Sequence, residues 1–167
     1  MQYIDGRREF TETWGQLAIE WGENKTIGQV HALLLISHEP VCADDIMNEL
    51  DISRGNVNGT LHHLMDMEIV YKQLKSGDRK TYYTAEKDMW KVMRAVVIKR
   101  KEKELDPMIT TLERLNKVSP QCDKSEEFCR TIKEIKDFSY KADRILESFT
   151  GSEVNWLMKS MNRVMLR

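Results

Sequence analysis

The residues best suited to binding chemistry lie in a polar stretch that starts with Ser53-Arg54-Gly55-Asn56. Its hydrogen-bonding and small residues continue with Asn58, Gly59, His62 and His63. No carboxylate follows until Asp66. Asn bonds bidentately to the edge of adenine and Arg to that of guanine. The stretch therefore favours contact with DNA bases, with the two histidines as phosphate contacts or plain surface.

Gly55 and Gly59 stand four residues apart in this stretch. Glycine lets a helix backbone come close to a groove floor or a phosphate, and it equally allows close packing against a neighbouring helix. An interior helical glycine costs up to about 1 kcal/mol, so some reason for each is expected. The sequence leaves both interpretations open.

A cluster of cations lies in the hairpin predicted from two β-rich runs, residues 69–74 and 81–84, and the turn between them. It comprises Lys72, Lys75, Arg79 and Lys80, opposed there only by Asp78. A basic hairpin tip can follow the DNA backbone, and an Arg can enter a narrow minor groove. A solvated polar turn would explain Gly77 and Asp78 but less readily four cations. The acidic residues of 39–51 are expected on a different face.

Helical periodicity supplies the elements that must position these residues. A first helix ends near Gly22, and a second runs from a Thr26–Gln29 capping box to about Ser37. A third, short helix covers about 44–50. The fourth is capped by Ser53 and has inward positions at Val57, Leu61, Leu64 and Met65. Helix, helix, turn, helix and basic hairpin is the order of a winged helix.

More helices are predicted after Asp88. Asp106 and Pro107 either cap a new helix or kink a continuous one. Ser125 opens a periodic helix that Gly151 ends, and a last helix is expected from Val154 to Met165. These helices have apolar faces wider than a small winged helix can cover, so they are expected to bury them in a dimer.

Composition sets outer limits on function. The 167 residues fit one domain with an appendage, and 26 Lys and Arg against 27 Asp and Glu neither demand nor exclude nucleic acid. Three cysteines are too few for a disulfide framework. No apolar run approaches the roughly 20 residues that span a bilayer. We therefore expect a cytoplasmic protein with no membrane partner.

Other candidate sites have weaker support. His38 and Cys42 lack two further ligands at zinc spacing. Cys122 and Cys129 suggest ordinary thiols more than an oxidation sensor, since no cationic cluster adjoins them. No phosphate loop or nucleophile motif occurs. We predict no catalytic residue, metal or cofactor, and no enzyme activity.

The stretch from Thr26 to Asp88 resembles the multiple-antibiotic-resistance regulator (MarR) superfamily, most closely its betaine-synthesis-repressor (GbsR) branch. Ser53-Arg54-Gly55-Asn56 and Gly77-Asp78-Arg79-Lys80 carry the resemblance. Two positions depart from the superfamily pattern. Cys42 stands where a Ser, Thr or Asp cap is usual, and Asp78-Arg79-Lys80 replaces an Asp-x-Arg spacing, which leaves the wing contact open between Arg79 and Lys80.

The resemblance implies a mainly α fold with a small β-hairpin wing, a winged helix-turn-helix flanked by dimerisation helices. It divides the chain into an N-terminal dimerisation helix (1–24), a DNA-binding domain (25–87) and a C-terminal dimerisation region (88–167). The implied function is a homodimeric, sequence-specific regulator of transcription, a repressor on a near-palindromic double-stranded DNA operator. The alternative is a winged-helix module that binds proteins without specific DNA binding.

The GbsR branch is associated with choline or glycine betaine as effector. Aromatic cages bind quaternary ammonium through cation–π attraction. Trp14, Trp21 and Trp90 are therefore candidates for an effector pocket, against the commoner alternative of core or dimer-seam residues.

Overall fold

The computed structural model describes residues 2–151, which are mainly helical with a small antiparallel sheet. In chain order the elements are α1 (Tyr3–Glu20), α2 (Lys25–Ile36), β1 (Val41–Cys42), α3 (Ala43–Leu50), α4 (Arg54–Asp66), β2 (Val70–Leu74), β3 (Thr81–Ala85), α5 (Met89–Arg100), a π-helical turn (Lys101–Leu105), α6 (Asp106–Leu115) and α7 (Asp123–Thr150). The predicted fold class is confirmed. The helix expected from Val154 to Met165 lies outside the described residues. No described helix combines the length and apolar character needed to cross a membrane.

The chain forms two compact units, one through Ala95 and one from Val96 onward. In the first unit α2 is central, and α1, α3, α4 and β3 contact it. Burying a Leu, Ile or Val side chain contributes about 1.5 to 3 kcal/mol, so the apolar faces of these helices hold the unit together. The largest fully buried side chains are Leu33, Leu34, Ile46, Leu61, Leu64, Val30, Val57 and Val70.

Helices α1 and α2 cross at close range through glycine. A Cβ placed on Gly28 would lie 2.6 Å from the Ala18 Cβ and 2.7 Å from the Trp14 carbonyl oxygen. Beside this crossing, Trp14 Nε1 donates a hydrogen bond to Nδ1 of the buried His31 at 3.1 Å. Burial, with a smaller contribution from the charge of Lys87, lowers the pKa of His31 to about 4, so the imidazole is neutral in the core.

The sheet has three strands in the order β1-β3-β2, all antiparallel. The predicted hairpin is β2 and β3, with Val70 opposite Ala85 and Leu74 opposite Thr81. The sequence after Pro40 allows a turn or a very short strand, and the structure has the strand, β1, which is two residues long. Its pairing with β3 ties the start of α3 to the base of the wing.

Two predicted helix starts differ in detail from the structure. Asn24, rather than Thr26, caps α2, since its Oδ1 accepts from the Thr26 backbone nitrogen at 2.7 Å. Gln29 instead donates from Nε2 to Glu12 Oε2 at 3.0 Å. Helix α7 begins at Asp123 with Cys122 as its cap, and Ser125 contributes from one turn inside by accepting from the Cys122 backbone nitrogen at 2.8 Å.

In the second unit, Pro107 lies in the first turn of α6, and the backbone is helical on both sides of the turn that precedes it. Backbone angles stay helical from Arg100 through Asp106, and a π-helical turn occupies Lys101–Leu105. Proline lacks the amide hydrogen and clashes with the carbonyl four residues earlier, here that of Lys103. A widened turn at that place accommodates the ring. Packing of α6 on α7 buries Ile109, Leu112, Ile132 and Ser139.

Candidate nucleic-acid interface

Helix α4 presents one apolar and one polar face, as predicted. Ser53 caps it, and its Oγ accepts from the Asn56 backbone nitrogen at 3.3 Å. Val57, Leu61 and Leu64 are buried and fix the rotation of the helix. The opposite face is exposed: Ser53, Arg54, Gly55, Asn56, Asn58, Gly59 and His62. Seven of the eight residues singled out on this helix therefore lie at the surface.

The two glycines of α4 face open space. A Cβ added at Gly55 or Gly59 would have no heavy atom within 4 Å. Close packing against another part of the described chain therefore does not account for them. Gly28, which does serve a helix crossing, shows what such packing looks like in this same molecule.

The two adjacent histidines of α4 differ in their surroundings. His62 is exposed, whereas His63 is part-buried and its Nε2 lies 3.2 Å from Glu23 Oε2. Glu23 belongs to the segment between α1 and α2. His63 thus contacts the protein and is not brought together with the exposed residues of the α4 polar face.

The wing tip is a tight turn closed at Lys75 and Asp78. The Asp78 amide donates to the Lys75 carbonyl at 3.1 Å, and Gly77 has a φ of +82°, which suits the third position of a type II turn. The Asp78 carboxylate then accepts from the Lys80 amide at 2.9 Å and from the Tyr82 hydroxyl at 2.6 Å. The Asp78 side chain therefore stabilises the hairpin by hydrogen bonds within the wing.

The hydrogen bond between Tyr82 and Asp78 shifts the pKa of both side chains. The hydrogen bond from Tyr82, followed by that from the Lys80 amide, lowers the pKa of Asp78. The same bond to Asp78, together with burial and nearby negative charge, raises the pKa of Tyr82 to about 12. The wing therefore keeps a charged carboxylate and a protonated phenol at neutral pH.

The four wing cations have unequal freedom. Lys75 Nζ lies 4.3 Å from the centre of the Tyr82 ring, a cation–π distance. Lys80 Nζ lies 3.8 Å from Asp44 Oδ2. Lys72 and Arg79 are exposed and form no ion pair with any residue in 2–151. Of the two alternatives left by the sequence, Arg79 is thus the cation without a carboxylate partner in the described chain.

Asp44 is the interface residue that sequence reasoning missed. It lies in the first turn of α3, where two adjacent carboxylates are accounted for by the helix N-terminus alone. Its Oδ1 lies 2.5 Å from Arg54 Nη2 at the start of α4, and its Oδ2 contacts Lys80 of the wing. The expected segregation of acidic and basic residues by face was therefore wrong at this position. No spacing rule links residue 44 to both 54 and 80.

The three tryptophans of the predicted effector pocket are not brought together by ring contacts within residues 2–151. Trp14 is stacked on Phe10 with ring centres 5.3 Å apart and is hydrogen-bonded to His31. Trp21 is exposed at the end of α1, and Trp90 is half-buried at the start of α5. Ring contacts among described residues join Trp14 to neither of them.

The cysteines have local roles. Cys42 is buried and its thiol donates to Asp45 Oδ2 at 3.1 Å, while Cys129 donates to the Val118 carbonyl at 3.2 Å. Hydrogen bonding from Ser125 lowers the pKa of the exposed Cys122. In the described part of the chain, no three His, Cys, Asp or Glu side chains form a group that could hold a metal ion.

Comparison with known proteins relates this architecture to regulators of transcription. No family model and no curated protein matches the chain. Among solved structures, the chain is similar to a transcriptional regulator with a TM-score of 0.69 and 18% identity, over 90% of this chain and 99% of that chain. That superposition shows that the two chains share a fold, which in this chain is a winged helix.

Two further solved structures resemble the chain more loosely. MepR, a transcription regulator of the Staphylococcus aureus multidrug efflux pump MepA, has a TM-score of 0.41 and 15% identity, over 99% of this chain and 97% of its own. The regulator Tm0710 from Thermotoga maritima has a TM-score of 0.41 and 14% identity, over 84% and 94%. At these TM-scores they add nothing to the fold assignment.

Proposed function

We propose that the protein is a sequence-specific double-stranded DNA-binding regulator of transcription, acting in the cytoplasm as a repressor. The observation that carries the proposal is that Arg54 at the start of α4 and Lys80 of the wing reach the same carboxylate. The polar face of α4 and the basic wing can therefore meet one ligand together. A DNA duplex is such a ligand, because its major groove can receive α4 while the adjacent phosphate backbone contacts the wing.

The contacts divide into two roles. Asn56 and Asn58 are exposed on α4 and supply the amides that read base edges. Gly55 and Gly59 leave the helix surface low enough for the backbone to approach the groove. Arg79 and Lys72 supply unpaired cations for phosphates or the minor groove. His63 has a smaller part, since it already contacts Glu23.

Exposed apolar residues on α1 and α7 support the homodimer. Along α7, Phe128, Ile135, Phe138, Ile145 and Phe149 are exposed, and Phe138 leaves 71% of its surface uncovered. Their spacing follows a repeat of seven, the period of helices that pair with helices. Tyr3 and Ile4 are similarly open on α1, at 74% and 72%. A second copy that covers such faces would give two α4 helices per complex and a near-palindromic operator.

The effector proposal has weaker support. The betaine-synthesis branch and a choline or glycine betaine ligand rest on the resemblance at residues 53–56 and 77–80. The ring contacts of Trp14 are to Phe10 and His31, which is the environment of a core residue. A cage would need Trp21 or Trp90 to approach Trp14 on ligand binding.

The decisive experiment selects binding sites from a random-sequence DNA library with the purified protein and measures binding against salt. We expect an operator with two related half-sites about 34 Å apart. Arg79→Ala should weaken binding to all sequences and lower the salt slope by about 0.9 for each subunit that loses a phosphate contact, or about 1.8 for the dimer. Asn56→Ala should instead change base preference.

Arg8→Ala is the matched control, since it removes the same charge from an exposed position on α1. Its salt slope should equal that of the wild type. Absence of salt-sensitive DNA binding by the wild type would refute the proposed function and favour a protein-docking module. A selected site without two related half-sites would refute the dimeric arrangement.

A further inference from the structure

One carboxylate contacts cations from two elements of the candidate interface. Asp44 Oδ1 lies 2.5 Å from Arg54 Nη2, and Asp44 Oδ2 lies 3.8 Å from Lys80 Nζ. The side chains of Arg54 and Lys80 remain 67% and 55% exposed. The three groups therefore lie at the surface where the proposed function has DNA bind.

The helix N-terminus explains an acidic residue in this turn of α3, but neither it nor stability explains why the Asp44 carboxylate contacts Arg54 and Lys80. Asp45 occupies the same first turn of α3 and serves the helix N-terminus equally, and it accepts a hydrogen bond from Cys42. Ion pairs between exposed side chains add little to folding stability. The acidic group that remains to be explained is the one beside Arg54 and Lys80.

Pairing with Asp44 affects the two modes of DNA binding differently. Binding to DNA of arbitrary sequence depends on net positive charge and the release of counterions from phosphates. Asp44 cancels one charge at this place, so it weakens that mode. Contact with a base edge depends instead on directed hydrogen bonds. Arg54 has five N–H donors and its bond to Asp44 employs Nη2 alone, so donors on Nε and Nη1 stay available.

We propose that Asp44 is a specificity-determining positioning residue, which holds Arg54 and Lys80 so that binding to arbitrary DNA is suppressed more than binding to the operator. This inference rests on the proposed function. The carboxylate fixes the direction of the Arg54 guanidinium for a base edge. It also competes with any phosphate for both cations.

Replacement of Asp44 by Asn tests the inference on a random-sequence duplex and on the operator selected by the wild type. Each freed phosphate contact should steepen the plot of log affinity against log salt by about 0.9. Over the decade from 1 M to 0.1 M salt, a slope steeper by about 0.9 increases the affinity for the random duplex by about eightfold more in the variant than in the wild type, for each contact. The ratio of operator to random affinity should fall by a similar factor.

Asp45→Asn is the matched control because it removes the same charge from the neighbouring residue of the same helical turn. Its salt slope and specificity ratio should stay at the wild-type values. Asp44→Glu keeps the charge and should restore most of the specificity ratio. A purely structural role would change the melting temperature of Asp44→Asn without changing the salt slope.

A second variant tests the same inference without altering Asp44. Since Arg54 is already paired, Arg54→Ala should lower the salt slope on random DNA by less than Arg79→Ala does. Unchanged or weaker random-DNA binding by Asp44→Asn would overturn the inference, as would equal salt slopes for Arg54→Ala and Arg79→Ala. Failure of the wild type to bind DNA at all would instead refute the proposed function.

Discussion

Replacement of Gly59 by Ala should raise stability and weaken DNA binding, two effects of opposite sign from one methyl group. Gly59 lies in the middle of α4, and an added Cβ would meet no heavy atom within 4 Å. The methyl group therefore meets no clash in the folded chain. It can clash only with a ligand that comes close to the helix backbone.

The expected stability gain follows from helix propensity. Ala is favoured over Gly in a helix interior by about 0.8 to 1 kcal/mol. In a chain of this length, 1 kcal/mol raises the melting temperature by about 2 to 4 °C. Thermal unfolding followed by circular dichroism measures the shift. The same substitution at Gly55, near the helix start, should give a smaller gain.

The expected binding loss follows from the closeness of backbone and groove. A methyl group that prevents the close approach of α4 to the groove costs about as much as one good base contact. That is about 1 to 3 kcal/mol, or about five- to 150-fold in Kd. Fluorescence anisotropy with the selected operator measures this loss. The salt slope should change little, because no cation is removed.

Gly28→Ala is the contrasting control. Its Cβ would lie 2.6 Å from the Ala18 Cβ, so overpacking should destabilise the protein, typically by about 1 to 3 kcal/mol. A lower melting temperature for Gly59→Ala would mean that α4 is covered in the free protein. Unchanged operator affinity would mean that the glycine has no part in DNA approach. Either result would refute the interpretation of α4 as an open reading face.

Two titration experiments test the local electrostatics. Asp78→Asn should lower the pKa of Tyr82 from about 12 toward its ordinary value of 10. The ultraviolet absorbance of phenolate measures this change. An unchanged titration would mean that the hydrogen bond between Asp78 and Tyr82 is absent in solution. His31 is neutral in the fold while the unfolded chain takes up a proton near pH 6.5, so stability is full above that pH and is lost as the pH falls toward about 4. The loss reaches about 3 kcal/mol, and His31→Gln should flatten this part of the curve in denaturant titrations. An equally steep curve for the variant would assign the acid sensitivity to other groups.

Periodicity and capping were enough to predict the helices and the hairpin because each depends on nearby residues. Ser53 caps α4 through a bond to a backbone nitrogen three residues away. Apolar positions at helical spacing predicted Val57, Leu61 and Leu64 in the core. The cap of α2 was wrong because Asn24 and Thr26 are both good caps within two residues of each other.

Features that depend on distant residues were not predictable. The pairing of β1 with β3 joins two segments that are far apart in the sequence. The hydrogen bond between Trp14 and His31 joins two helices, and the pattern of α1 shows only an aromatic stripe. The three tryptophans have the composition of a cage, but composition carries no information on which rings meet.

The sequence predicted which side chains of α4 and the wing face solvent, and it did not predict which charges are free. Four wing cations look equivalent in the sequence, yet their surroundings differ. Lys75 lies over the Tyr82 ring and Lys80 lies beside Asp44, whereas Arg79 forms no ion pair with a carboxylate of the described residues. Since each paired cation contributes less to phosphate attraction, the charge that steers DNA is smaller than the count of Lys and Arg suggests. Selectivity between operator and other DNA then depends on the carboxylates placed among the cations as much as on the cations themselves.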